Sequence, residues 1–67
     1  MVIHVSNGKS GDELHISWGS GLMTHSDARV DSNGNARVNC SSGSGRILIN
    51  GKQVYSGYIS DGLSVSK

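Results

Sequence analysis

Residues 46–55 read Arg46-Ile47-Leu48-Ile49-Asn50-Gly51-Lys52-Gln53-Val54-Tyr55. An apolar run, an Asn-Gly step and a second run ending in Val and Tyr form the pattern of a tight β-hairpin. Asn and Gly tolerate the positive φ angles that a two-residue turn requires. Such a turn sets Leu48 against Gln53 and Ile47 against Val54. The unbroken run Ile47-Leu48-Ile49 predicts a strand covered on both faces, and in a chain of 67 residues a second subunit is the natural cover. Gly57 interrupts the following strand, Gln53 to Ser60, and predicts a bulge or bend there.

Working outward, the same punctuation recurs at Asn7-Gly8, Asn33-Gly34 and Asp61-Gly62, and no proline breaks a strand. The chain reads as a single small all-β domain, residues 1–67: an antiparallel, hairpin-built sheet, either a sandwich or a rolled sheet, completed by oligomerisation. Val2 to Val5 is the first strand. Ser6 to Asp12 is a loop. Glu13 to Trp18 alternates, with Leu14, Ile16 and Trp18 on one face and Glu13, His15 and Ser17 on the other, as in a half-buried strand. If it pairs antiparallel with the first strand, Ile3 meets Ile16, Val5 meets Leu14, and His4 meets His15. Leu22 to Ala28 could be a strand, a loop or a helical turn, and its Leu22-Met23 pair would suit either a core or an oligomer contact.

Around Asn33-Gly34 two hairpin registers compete. A two-residue turn mixes apolar and charged residues on both faces. A three-residue loop, Ser32 to Gly34, has Asp31 opening a type I turn and Gly34 left-handed. It sets Val30 against Ala36 and Ala28 against Val38, and gathers Ala28, Val30, Ala36, Val38 and Cys40 on one apolar face. Arg29 then lies opposite Arg37. The three-residue loop is preferred for its single apolar face. Ser41 to Gly45 reads as a flexible loop, and Leu63 to Ser66 as a last extended segment after Asp61-Gly62.

Composition narrows the function classes. Ten glycines and thirteen serines make up about a third of the chain, and only 34% of it is hydrophobic, with no Phe. Chains this small usually need a disulfide, a metal or partner subunits to be stable. One cysteine, Cys40, excludes an internal disulfide, which favours a homo-oligomer. A net charge of +1 from scattered cations is not the basic patch that nucleic-acid binding needs. No apolar run approaches a membrane span. The start, Met1-Val2-Ile3-His4, lacks a basic and apolar leader, so a cytoplasmic location is expected.

No motif marks a cofactor, and none is expected. Gly8-Lys9-Ser10 resembles the end of a phosphate-binding loop, but Ile3 stands where its first glycine should be, and a strand follows instead of a helix. His4 and His15, with Glu13 or Asp12, could meet a metal only if their strands pair, and they lack zinc-ligand spacing. Serines are so frequent that any Ser/His/Asp set can be assembled, so the sequence selects none and predicts no enzyme. Arg29 and Arg37 are read either as a solvated charge lattice with Asp27 and Asp31 or as a clamp for carboxylate or phosphate. Lys9 and Arg46 are possible further contacts. Trp18 is either core filler or a stacking platform.

The Asn-Gly turns, short Val/Ile strands and lack of proline are similar in style to many short bacterial and phage proteins, a compositional likeness that carries over no site. The expected function is non-enzymatic. A small homo-oligomer would sequester an anionic, nucleotide-like ligand through Arg29, Arg37, Lys9, Arg46 and Trp18, or inhibit a protein partner. The alternatives are a structural β module assembling through sheet edges and a carbohydrate-binding module around Trp18.

Overall fold

The computed structural model describes every residue except 20 and 22, so Leu22 of the expected Leu22-Met23 contact lies outside the described residues. Seven strands follow one another: β1 (Val2–Ser6), β2 (Glu13–Trp18), β3 (Thr24–Arg29), β4 (Asn35–Arg37), β5 (Gly43–Ile49), β6 (Lys52–Ile59) and β7 (Ser64–Ser66). The chain is all-β, as its turns and alternation imply. The strands form a small sheet of order β4-β1-β7 and a larger one of order β3-β2-β5-β6. Ile3, Val5, Ala36 and Val65 of the small sheet share one buried cluster with Leu14, Ile16, Ile47, Ile49 and Ile59 of the large sheet. The architecture is a two-sheet sandwich.

The hairpin at residues 46–55 forms with Asn50 at φ 52° and Gly51 at φ 86°, the paired positive angles of a type I′ turn. Leu48 faces Gln53 as expected. Ile47 faces Tyr55 and not Val54, because the ladder slips by one residue between Ile47 and Leu48. The bulge therefore falls at Val54, and Val54 and Tyr55 both pack against the core. Gly57 stays in the ladder opposite Gly45 at φ 151°. Ile47 and Ile49 are buried, while Leu48, on the opposite face between His15 and Gln53, is half-buried by its own chain.

The loop at residues 31–35 has the expected chemistry. Gly34 has φ 82° and donates to the Asp31 carbonyl at 3.1 Å, and the Asp31 amide donates to the Asn35 carbonyl at 2.8 Å. The hairpin does not extend beyond that rung. The Val30 amide donates to Asp12 at 2.9 Å, and its carbonyl accepts from Gly11 at 2.8 Å. Each backbone group has one main-chain partner to find, so the expected rung from Val30 to Ala36 does not form. Ala28 pairs with Leu14, Ala36 pairs with Ile3, and Val38 bonds to Met1. The apolar face survives the split: Val30, Ala36 and Val38 are buried, with Ala28 and Cys40 packed against them.

Three other expectations are corrected. β1 and β2 do not pair; the loop between them crosses from one sheet to the other, so His4 faces Asn35 and Ser64 while His15 faces Asp27 and Leu48. The Gly/Ser-rich stretch is not all loop, because β5 starts at Gly43. β7 runs parallel to β1.

Within this stretch, Gly45 is the glycine its surroundings require. A Cβ there would overlap the Ser17 carbonyl oxygen and lie 2.9 Å from Ile59 Cδ1 and 3.0 Å from Trp18 Cβ. Only a bare backbone lets β5 lie this close to β2 beneath Trp18.

Asp12 ties three parts of the chain together. Its carboxylate accepts from Lys67 Nζ at 2.8 Å, the Lys9 amide at 2.8 Å and Asn50 Nδ2 at 3.1 Å. The Lys67 ammonium, then the Lys9 amide and Asn50, hold the carboxyl far below the usual carboxylate range. Burial pushes the Cys40 thiol up, which leaves it protonated and a poor nucleophile.

Two outcomes follow from these contacts. Gly45→Ala should destabilise the fold by about 2 kcal/mol, since overpacked backbone contacts relax poorly, as read by urea denaturation. The folded Asp12 carboxyl is depressed, so its stabilising contribution is complete above the unfolded carboxyl value of about 3.9 and is lost as the pH falls below it. Asp12→Asn should lower stability at neutral pH and remove part of the acid-induced loss below about pH 4. Denaturant midpoints between neutral and acid pH measure both.

Candidate functional site

Strand alternation turns Leu14, Ile16, Ile47 and Ile49 of the large sheet inward, so their neighbours form its outer face. Cross-strand pairing arranges that face in rows. One row runs Asp27, His15, Leu48, Gln53, and the next runs His25, Ser17, Arg46, Ser56. Arg29 and Glu13 pair beside the first row, and Ser44 and Tyr58 lie beyond the second.

The side chains of the first two rows are bonded to one another. His15 Nδ1 meets Asp27 Oδ1 at 2.5 Å, and His15 Nε2 meets Ser17 Oγ at 3.3 Å. A carboxylate can only accept, so the hydrogen of neutral His15 is assigned to Nδ1 and the Nε2 lone pair faces the Ser17 hydroxyl. The His25 ring lies tilted over His15, centroids 5.4 Å apart. His15 is 39% exposed and Asp27 77%.

Two grooves flank these residues. One, of about 380 Å³, is lined by Glu13, Asp27, Ala28 and Arg29. Arg29 bonds Glu13 at 3.1 Å and the Gly11 carbonyl at 3.0 Å, so its charge is already engaged and Asp27 leaves the groove acidic. The other, of about 260 Å³, is lined by Gly19, Ser44, Gly45, Arg46, Ser56 and Gly57. Arg46 makes no ion pair or side-chain hydrogen bond among the described residues. The smaller groove thus carries a cation with no ion pair among the described residues, together with two hydroxyl side chains.

The structure disperses the other candidates. Arg29 and Arg37 do not face each other across a ladder, because β3 joins the large sheet and β4 the small one. Arg37 pairs across from Val2 on the exposed side of the small sheet. Lys9 lies in the β1–β2 loop, and Trp18 packs partly buried against the core. His4 bonds Asn35 at 2.9 Å and is in the other sheet from His15, so the proposed two-histidine metal site does not form. Among the described residues no group of three or more His, Cys, Asp or Glu side chains is placed to hold a metal ion. No described helix is long and apolar enough to cross a membrane.

Sequence reasoning missed the Ser17, His15 and Asp27 cluster because β3, Thr-His-Ser-Asp-Ala-Arg, has almost no apolar alternation. The available signal was the mirrored polar alternation of Glu13, His15, Ser17 and His25, Asp27, Arg29, whose opposite charges at Glu13 and Arg29 face each other in the observed register. No protein family model, curated protein or solved structure matches the chain.

Proposed function

We propose that the chain is a binding protein that takes an anionic, phosphate-bearing small molecule of the nucleotide type in the Arg46 groove, and that it works as a homo-oligomer. The observation carrying the ligand reading is the unpaired Arg46 guanidinium in a groove with Ser44 and Ser56. A guanidinium is suited to bidentate recognition of phosphate. Glycines 19, 45 and 57 add no side chains to the groove, so a ligand can approach the backbone there. Of the sequence candidates, this reading uses Arg46; Arg29, Arg37, Lys9 and Trp18 do not line this groove.

Support for self-association comes from the sheet edges. β6 is one edge of the large sheet, eight residues long with Lys52 as its only charge. β3, the other edge, carries Asp27 and Arg29 and is protected by charge. Tyr58 on β6 is 62% exposed. Pairing β6 with the β6 of a second copy would satisfy the open edge.

Calorimetric titration with a panel of nucleotides tests the ligand reading. Wild type should bind, and Arg46→Gln should weaken binding at least about tenfold, near 1.4 kcal/mol. If no nucleotide binds wild type, a protein partner replaces the ligand. Light scattering at micromolar concentration tests self-association. Wild type should exceed monomer mass, and Tyr58→Asp should dissociate it by placing like charges across the shared edge. A monomeric wild type overturns the oligomer.

A further inference from the structure

We infer that Ser17 is an activated nucleophile, with His15 as its general base and Asp27 as the positioning residue, and that it takes acyl groups from activated esters. This does not rest on the ligand reading. It rests on the order of the contacts: Asp27 Oδ1 to His15 Nδ1 at 2.5 Å, then His15 Nε2 to Ser17 Oγ at 3.3 Å. A serine hydroxyl is a weak nucleophile until a neighbouring base removes its proton and a third group orients the base. Among the described serines, Ser17 is the one that bonds a histidine side chain.

Register produces this arrangement. His15 and Ser17 are two apart on β2 and share its outer face, and Asp27 lies directly opposite His15 on β3. The carboxylate fixes the imidazole with its Nδ1 hydrogen bound and its Nε2 lone pair free. At 3.3 Å the hydroxyl contact is long for a hydrogen bond, as is usual before substrate binds. On the other side of Ser17, Arg46 is the direct cross-strand neighbour, with Cβ atoms of such pairs about 4.5–5.5 Å apart. In this proposal its guanidinium is the cation that meets the oxyanion of the tetrahedral intermediate.

The chemistry balances without a further reactant. Ser17 Oγ bonds to the ester carbonyl carbon, and its proton passes to His15 Nε2. The bond from that carbon to the leaving oxygen then breaks, and His15 returns the proton to the departing alcohol. Water reverses the sequence, releasing the carboxylic acid and restoring Ser17. The site is open, and one side-chain cation is a weaker stabiliser than a pair of fixed backbone donors. The substrate class is therefore restricted to esters whose leaving group departs easily, such as aryl esters.

A neutral aryl fluorophosphonate, which loses fluoride when a serine oxygen attacks phosphorus, is the probe. Intact mass and peptide mapping follow the adduct on the folded full chain, with folding checked by circular dichroism. Wild type should carry one adduct, on Ser17, and Ser17→Ala none. His15→Gln should slow labelling about a hundredfold, the lower end of general-base contributions. Asp27→Asn, at an exposed position, should slow it at least about tenfold, because an amide no longer enforces the productive tautomer, while thermal melting stays unchanged. Adducts spread evenly over the serines, no adduct on folded wild type, or wild-type labelling of folded Asp27→Asn would overturn the assignment. Both readings use Arg46, but labelling of Ser17 needs no nucleotide and nucleotide binding needs no Ser17 hydroxyl, so the two experiments fail separately.

Discussion

The two backbone hydrogen bonds of Val30 organise the sandwich. By bonding to Gly11 and Asp12, this residue holds β3 on the large sheet and denies Ala36 a partner across the hairpin. Ala36 then turns to Ile3. A hairpin that would have been a flat ribbon opens like a hinge at Asp31 and Asn35, and its two arms become edges of opposite sheets. The apolar residues of both arms now point into the space between them. A two-stranded hairpin is at best marginal alone; splitting it gives a core walled on two sides.

Polar contacts close this small core at its rim. The Asp12 carboxylate draws together the β1–β2 loop, the β5–β6 turn and the chain end. Asp61 caps the start of β1 through the Val2 amide at 2.7 Å. Such contacts replace part of what a larger hydrophobic core would supply, because each fixes a loop whose backbone groups would otherwise compete for water. Gly45 works in the opposite sense, by lacking atoms. It leaves to Trp18 Cβ and Ile59 Cδ1 the space that a Cβ at this position would need.

The outer face of the large sheet carries an ordered set of polar side chains. A surface ion pair such as Arg29–Glu13 is worth only about 0.2–1 kcal/mol, and the neighbouring array adds side-chain hydrogen bonds to it. There a serine, two imidazoles, a carboxylate and a guanidinium occupy adjacent positions of two rows. Their order follows from three strands running in one register, and a slip of one residue in β3 would turn Asp27 and His25 inward.

Turns and alternation were local, and the sequence by itself determined them. Asn50-Gly51, Asp31 to Gly34, the inward Leu14 and Ile16, and the apolar face from Ala28 to Cys40 follow from φ preferences and a period of two. Those signals act over a few residues, so they are legible without a fold. Strand partners are different. Whether β1 meets β2 or β4, and whether β7 runs parallel to β1, depends on which backbone groups are free after distant segments compete for them. The bulge at Val54 and the close approach at Gly45 belong to the same class. The candidate face was illegible for that reason: Ser17, His15 and Asp27 are ordinary residues in a serine-rich chain until β2 and β3 pair. Only the tertiary structure selects one Ser/His/Asp set from the many that composition permits, because hydrogen bonding is short-ranged and register alone brings these three side chains within reach.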